Sequence, residues 1–211
     1  MSAHRQIGVK VLKMNNRGHK AQDVYNSSQL IRDFGFELGL QIMTGLYGDC
    51  DESAINTAKE VISIKPDTVR IYPTIVLKDT YLASLYADGI YEPQSLNDAI
   101  KLSAKLYSDF SANGIKVIRL GLHSIEEDAY IAGPWHPAFS ELCLSQIMLN
   151  KAFNKLSEKG KYTIYVGKSD VSKMIGQKQS NILHLRSLGF DCIVKVKENL
   201  GDLQLEIKRE V

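Results

Sequence analysis

The sequence predicts an α/β protein: a parallel sheet covered by helices over residues 1–158, then a small β-α-α-β-β unit over residues 159–211. Two observations carry this. Short, near-continuous apolar runs alternate with segments of helical periodicity, as expected of parallel strands buried beneath crossover helices. After Lys159-Gly160-Lys161 the rhythm changes, and strand-like runs crowd together with only short helices between them.

The elements follow in order. Val24, Ser27, Ile31 and Phe34 recur at helical spacing, so a first helix is expected over Ala21–Phe34, closed by Gly35 in the left-handed cap position. Phe36 to Met43 reads as a strand ending at Thr44-Gly45. Asp51 can cap a helix carrying Ile55, Ala58, Val61 and Ile62 before Pro66 breaks the pattern. Thr68 to Tyr72 is rich in strand formers and stops at Pro73. A short helix is expected near Thr80 to Ala87. Ser95 and Asp98 form a start signal for a helix presenting Ala99, Leu102, Leu106 and Phe110, ended by Gly114. Ile115 to Leu122 reads as a strand, and Pro137 opens a long helix reaching about Leu156. In the tail, Tyr162–Val166, Cys192–Lys197 and Leu203–Lys208 read as strands, and Asp170–Ile175 and Ser180–Leu188 as helices. A unit this small is expected to lean on the long helix.

Composition excludes several classes. With 211 residues, 44% hydrophobic and 24% charged, the chain can build a core and stay in solution. A net charge of +2 implies neither a nucleic-acid nor a membrane partner by itself, so any basic surface must be local. No apolar run approaches the roughly 20 residues of a membrane span, and Met1 to Gln6 lacks the apolar stretch of a signal peptide. A cytoplasmic protein is expected. Cys50, Cys143 and Cys192 are too far apart for a short-spaced metal or redox motif and are expected to be buried or half-buried thiols.

Three loops after strands could hold a ligand, because parallel α/β folds bind at the carboxyl ends of their strands. In Met43-Thr44-Gly45-Leu46-Tyr47-Gly48-Asp49 two glycines permit close approach; the alternative is an ordinary turn with Asp49 near a helix cap. In Arg70-Ile71-Tyr72-Pro73-Thr74 an arginine lies in a strand expected to be buried, which requires a partner, either a ligand or a structural ion pair. The stretch from His123 to His136 holds Glu126, Glu127 and Asp128 but no helix-spaced ligand pair, so it reads as a structural loop without a metal, and Trp135 as packing.

Val11 to His19, Phe36 to Asp49 and Val69 to Thr74, together with Ala132-Gly133-Pro134-Trp135-His136-Pro137-Ala138-Phe139, resemble in order the later part of radical S-adenosylmethionine (SAM) enzymes. The likeness is greatest to proteins related to the catalytic Elongator subunit and to oxygen-independent coproporphyrinogen III oxidase, and covers roughly residues 7 to 200. It implies a partial (β/α) barrel. It also implies SAM as a cofactor, with Arg17 at its carboxylate, Gln41 at its ribose, the Arg70-Ile71 backbone near the adenine, and Met43 and Gly45 at the adjoining strand end. A cation suits a carboxylate and a short polar side chain suits ribose hydroxyls. Intact relatives hold a 4Fe-4S cluster on a Cys-x-x-x-Cys-x-x-Cys loop with no counterpart here, so this chain is not expected to ligate it. Gly8-Val9-Lys10 stands where the family has Gly-Val-Gln, and no SAM contact is carried over to Lys10.

Ile175-Gly176-Gln177-Lys178-Gln179-Ser180-Asn181-Ile182 resembles the Ile-Gly-x-x-Gly-x-x-Ile loop of KH domains, which clamps a nucleic-acid backbone. That likeness implies RNA binding at Gly176, Gln177, Lys178 and Gln179, although Gln179 replaces the second glycine. Lys168, Lys173, Lys178 and Arg186 could contact phosphates. The catalytic residues, if any, are not legible. The leading reading is the C-terminal segment of an Elongator-like radical SAM protein acting on tRNA or another RNA; the others are a non-catalytic RNA-binding module and a truncated structural relic. A barrel begun near its middle exposes a strand edge that Ile7-Gly8-Val9 is too short to blunt, so self-association, or completion by a missing N-terminal half, is expected.

Overall fold

A computed structural model describes residues 10–126 and 128–210, so Ile7, Gly8, Val9 and Glu127 lie outside the described residues. The chain forms two compact units, Met1–Pro137 and Ala138–Val211. The division falls ahead of the long helix, whereas the sequence predicts a boundary after residue 158.

The first unit opens with a helical turn over 10–14 and then α1 (Ala21–Asp33). The backbone N–H of Lys20 donates to Asp23 at 2.7 Å at one end, and Gly35 takes the left-handed conformation at the other, as its position predicts. β1 (Gly39–Thr44) starts three residues later than expected. Asp67 explains the delay: its carboxylate accepts the Leu38 N–H at 2.7 Å, and its own N–H donates to the Leu38 carbonyl, so strand pairing begins with Gly39 opposite Thr68. Phe36 is left 69% exposed.

α2 (Asp51–Ile64) is capped by Cys50, not Asp51, which occupies the first turn with Glu52, where negative charge favours the helix dipole. Its last carbonyls, Ile64 and Lys65, accept from the Arg32 guanidinium at 2.6 Å each. β2 (Thr68–Pro73) and a short β3 (Val76–Leu77) lead to α3 (Tyr81–Ala87), whose N-cap Thr80 accepts from the Ala83 N–H. α4 (Leu96–Ala112) starts as predicted, with the Ser95 hydroxyl accepting the Asp98 N–H at 3.1 Å. β4 (Lys116–Leu120) follows, and β5 (Tyr130–Ala132) pairs antiparallel with β3, a ribbon where the sequence predicts loop.

β1, β2 and β4 form a parallel sheet in that order. The expectation of strands buried beneath helices holds on one face only. One face carries Ile42, Val69, Ile71 and Leu120 against the buried Leu102, Leu106 and Phe110 of α4, whereas the other carries exposed Gln41 and Arg70. Alternation along each strand sends successive side chains to opposite faces, so the apolar run around Leu38 to Met43 hides a polar one.

The second unit comprises α5 (Phe139–Phe153), β6 (Gly160–Val166), α6 (Val171–Ile175), α7 (Ser180–Ser187), β7 (Phe190–Val196) and β8 (Leu205–Arg209). The order β-α-α-β-β is as read. The helical crossover makes β6 and β7 parallel, and β8 returns antiparallel on the other side of β6. The tail leans on α5: Lys151 and Lys155 donate to the Leu203 and Leu205 carbonyls at 2.8 and 2.9 Å, and Asn181 donates to Ser145. Asp170 is fully buried and accepts from Lys173 at 2.7 Å and from the Leu203 N–H at 2.6 Å, joining α6 to the approach to β8.

Asp170→Ala leaves both donors without an acceptor. Urea unfolding should show a loss of about 2–4 kcal/mol, the range for stranding a largely buried charge and an amide; a loss below about 1 kcal/mol would mean that the carboxylate does not hold the β8 approach.

Candidate functional site

On the open sheet face, the parallel register sets Gln41 beside Arg70 and Arg70 beside Arg119, while Met43 lies beside Tyr72. Arg17, beyond the first helical turn, donates to the Met43 sulfur at 2.9 Å. Arg17, Gln41, Met43 and Arg70 therefore converge on one face. Ile71 points to the opposite face and is fully buried, so only its backbone can serve a ligand here. Arg70 is exposed, which corrects the expectation of a buried guanidinium, and among the described residues it makes no ion pair. Gly45 (φ +70) follows the end of β1; its carbonyl accepts the Tyr91 hydroxyl at 2.7 Å, and a Cβ there would approach Gln94 to 2.7 Å.

A crevice of about 220 Å³ beside β1 is lined by Arg17, Gln41 and Met43 together with Tyr25, Asp49 and Ser53. Burial raises the Asp49 carboxyl above its ordinary value, although hydrogen bonds from Ser53 and the backbone of Cys50 and Gly45 oppose the shift. The Tyr91 hydroxyl is pushed up to about 12, chiefly by burial and further by Asp49. Sequence reasoning does not single out Arg119 or Tyr91, and it names Asp49 only as the end of the first candidate loop. Arg119 carried the same signal as Arg70, a charge inside an apolar strand.

The donor set fits SAM in kind: a guanidinium for a carboxylate, an exposed amide for hydroxyls, and strand ends with main-chain groups. The cysteines do not fit a cluster. Cys50 is exposed, against expectation, because it caps α2, while Cys143 and Cys192 lie buried in α5 and β7 of the second unit. Burial raises the last two thiols to about 12 and about 11. Among the described residues no group of three His, Cys, Asp or Glu converges on a metal position, and no helix is long and apolar enough to cross a membrane. Trp135 packs on Tyr130, with ring centroids 6.0 Å apart.

In the second unit, Gly176 (φ +79) leaves α6, and a Cβ there would lie 2.5 Å from the Ser180 hydroxyl and 3.0 Å from the Asn181 nitrogen. Lys178 and Gln179 both take left-handed backbone (φ +50 and +61), so Gln179 holds a glycine-like conformation. Gln177, Lys178 and Gln179 are exposed. Lys173 is taken by Asp170 and Arg186 approaches Asp191 at 3.4 Å, which leaves Lys168 and Lys178, of the four expected cations, outside any ion pair among the described residues.

Residues 66–149 match the Radical_SAM C-terminal domain. The chain is similar over this region to the C-terminal part of Elongator-like radical SAM proteins. The tRNA uridine(34) acetyltransferase of Methanocaldococcus jannaschii is 31% identical over 96 residues, covering 44% of this chain and 18% of the relative. Elongator complex protein 3 of Homo sapiens is 31% identical over 109 residues, covering 48% and 20%. The solved structure of Elp3 from Methanocaldococcus infernus, with an N-terminal deletion, superposes with a TM-score of 0.63 at 26% identity, over 69% of this chain and 34% of that one. The chain thus spans about a fifth of the length of these curated relatives.

The Asp49 shift has a pH signature. Its folded value lies above the unfolded one, so its contribution is fully present below the unfolded value of 3.8 and is lost as pH rises through the folded value. Asp49→Asn removes that loss: relative to wild type the variant should gain stability as pH rises through this window and keep the gain at neutral pH. Parallel stability curves for the two proteins in urea titrations from acid to neutral pH would contradict the assignment.

Proposed function

We propose that the first unit presents a SAM-binding sheet face and that the second, KH-like, unit contacts RNA, the two serving modification of tRNA. The support is the convergence of Arg17, Gln41, Met43 and the Arg70 strand on one open face, in a chain whose relatives include proteins named for tRNA uridine acetylation. SAM bound to an iron–sulfur cluster supplies one-electron chemistry in this family, and this chain's own residues ligate no cluster in the family's way. Their part is to bind and orient. Arg17 neutralises the carboxylate, the Gln41 amide donates to and accepts from hydroxyls, and the backbone of Arg70 and Ile71 lies at the adenine.

Calorimetry with SAM tests the first half. Weak binding is expected, reduced about tenfold, or about 1.4 kcal/mol, by Gln41→Ala and by Arg17→Ala; equal affinity in the variants would remove this face from the reading.

The second reading, an RNA-binding module without catalysis, is favoured by the glycine-like backbone retained at Gln179. Gln179→Gly should raise thermal stability by about 1 kcal/mol, because a left-handed non-glycine residue costs on that order, and should tighten RNA binding by letting backbone approach phosphate. Lys178→Glu should weaken that binding and flatten its salt dependence. RNA affinity indifferent to both substitutions would exclude the loop as a contact.

A further inference from the structure

The arginine row on the sheet face is not explained by SAM. Arg70 and Arg119 are direct neighbours on adjacent parallel strands, where backbones run about 4.8 Å apart. A bulge produces this adjacency: the register shifts between Val69 and Arg70, which skips Ile118 and sets Arg119, not Ile118, beside Arg70. Like charges directly opposite each other in a sheet are destabilising. Among the described residues neither guanidinium has a carboxylate within ion-pair distance.

Arg119 adds a further donor. Its guanidinium lies 3.1 Å from His123 Nδ1. Guanidinium can only donate, so in this contact Nδ1 accepts and the neutral imidazole carries its proton on Nε2, which can donate. The row therefore offers two planar donor forks and an imidazole N–H, with the Gln41 amide next in line. That set matches a tetrahedral oxyanion, which takes bidentate hydrogen bonds from arginine.

We propose that Arg70 and Arg119 form a clamp for one phosphodiester of an RNA strand lying on the sheet face, with His123 as an auxiliary donor. The inference rests on the reading that RNA is the partner. It differs from the SAM assignment in the atoms used: SAM is placed on the backbone of Arg70, and the phosphate on its side chain. The bulge creates the pair, and the bound anion offsets the repulsion between the two guanidinium groups.

The test uses the full chain and a fluorescein-labelled oligouridylate, with anisotropy followed across a chloride series. Arg70→Gln/Arg119→Gln should lower affinity at least about tenfold, as expected for lost hydrogen bonds to a charged group. It should also reduce the slope of log affinity against log salt by about 0.7, the value for one neutralised phosphate of a single strand. Lys101→Gln, an exposed cation on α4, should change neither. Without RNA, the double variant should be at least as stable as wild type, because a repulsive pair has been removed; a structural role would move stability the other way. Arg70→Lys/Arg119→Lys should keep the salt slope but recover only part of the affinity, since ammonium groups lack the fork.

Wild-type affinity and slope in the double glutamine variant would overturn the clamp while leaving RNA binding intact. Failure of wild type to bind oligouridylate would overturn the clamp together with the RNA half of the reading, while SAM calorimetry on Gln41→Ala judges the SAM half separately. Displacement of the oligonucleotide by inorganic phosphate, at an ionic strength where chloride has no effect, would assign the clamp to a free anion and overturn the RNA source.

Discussion

The register of β1 on β2 decides what the first unit can bind. Asp67 holds Leu38 at the start of both strands, so Gly39 meets Thr68, and every later pair follows: Gln41 with Arg70, Ile42 with Ile71, Met43 with Tyr72. A slip of one residue would turn Gln41 into the helix-covered face and bring Ile42 into solvent, at the cost of burying an amide without partners. The helix layer and the open polar face are thus two outcomes of one constraint. The same parity places the Ile71 side chain in the core and leaves only its backbone available to the proposed ligand.

Much of the fold was legible because its signals are local. Ser95 and Thr80 cap helices where their hydroxyls reach an N–H three residues on, and Gly35 and Gly114 close helices in the left-handed conformation that side chains resist. Signals that depend on distant partners were not legible. The β3–β5 ribbon joins Val76 and Leu77 to Tyr130–Ala132, and nothing in either short run announces the other. The late start of β1 depends on Asp67, and although the tail's lean on the long helix is expected from its size, the bonds that make it, Lys151 and Lys155 to the Leu203 and Leu205 carbonyls and Asn181 to Ser145, join residues far apart in the chain. The candidate site shows the same division. Arg17, Gln41 and Met43 were found through a resemblance that reads order along the chain, while Arg119 joined them only through a bulge that no residue-by-residue pattern displays.

Charge placement separates structural cations from available ones more clearly than charge count does. Arg32 spends its guanidinium on the α2 carbonyls, Lys151 and Lys155 bridge to backbone, and Lys173 neutralises Asp170. Arg70, Arg119, Lys168 and Lys178 have no such engagement with a carboxylate among the described residues. A chain of net charge +2 can therefore present local positive surfaces in each unit without a basic composition.

The loop after α6 carries the same logic into the backbone. Gly176 is obligatory on steric grounds, since any Cβ would meet Ser180 and Asn181. Asn181, buried and bonded to Ser145 and to the Lys173 carbonyl, anchors the start of α7 just beyond. Between these fixed points Lys178 and Gln179 must both turn left-handed, at about 1–2 kcal/mol each. The conformation persists because its ends are over-determined, so Gln179 keeps a backbone that glycine would adopt at less cost. What the glutamine alters is how closely another chain can approach the backbone there, and that distance, rather than the fold of the tail, separates a packing module from a nucleic-acid clamp.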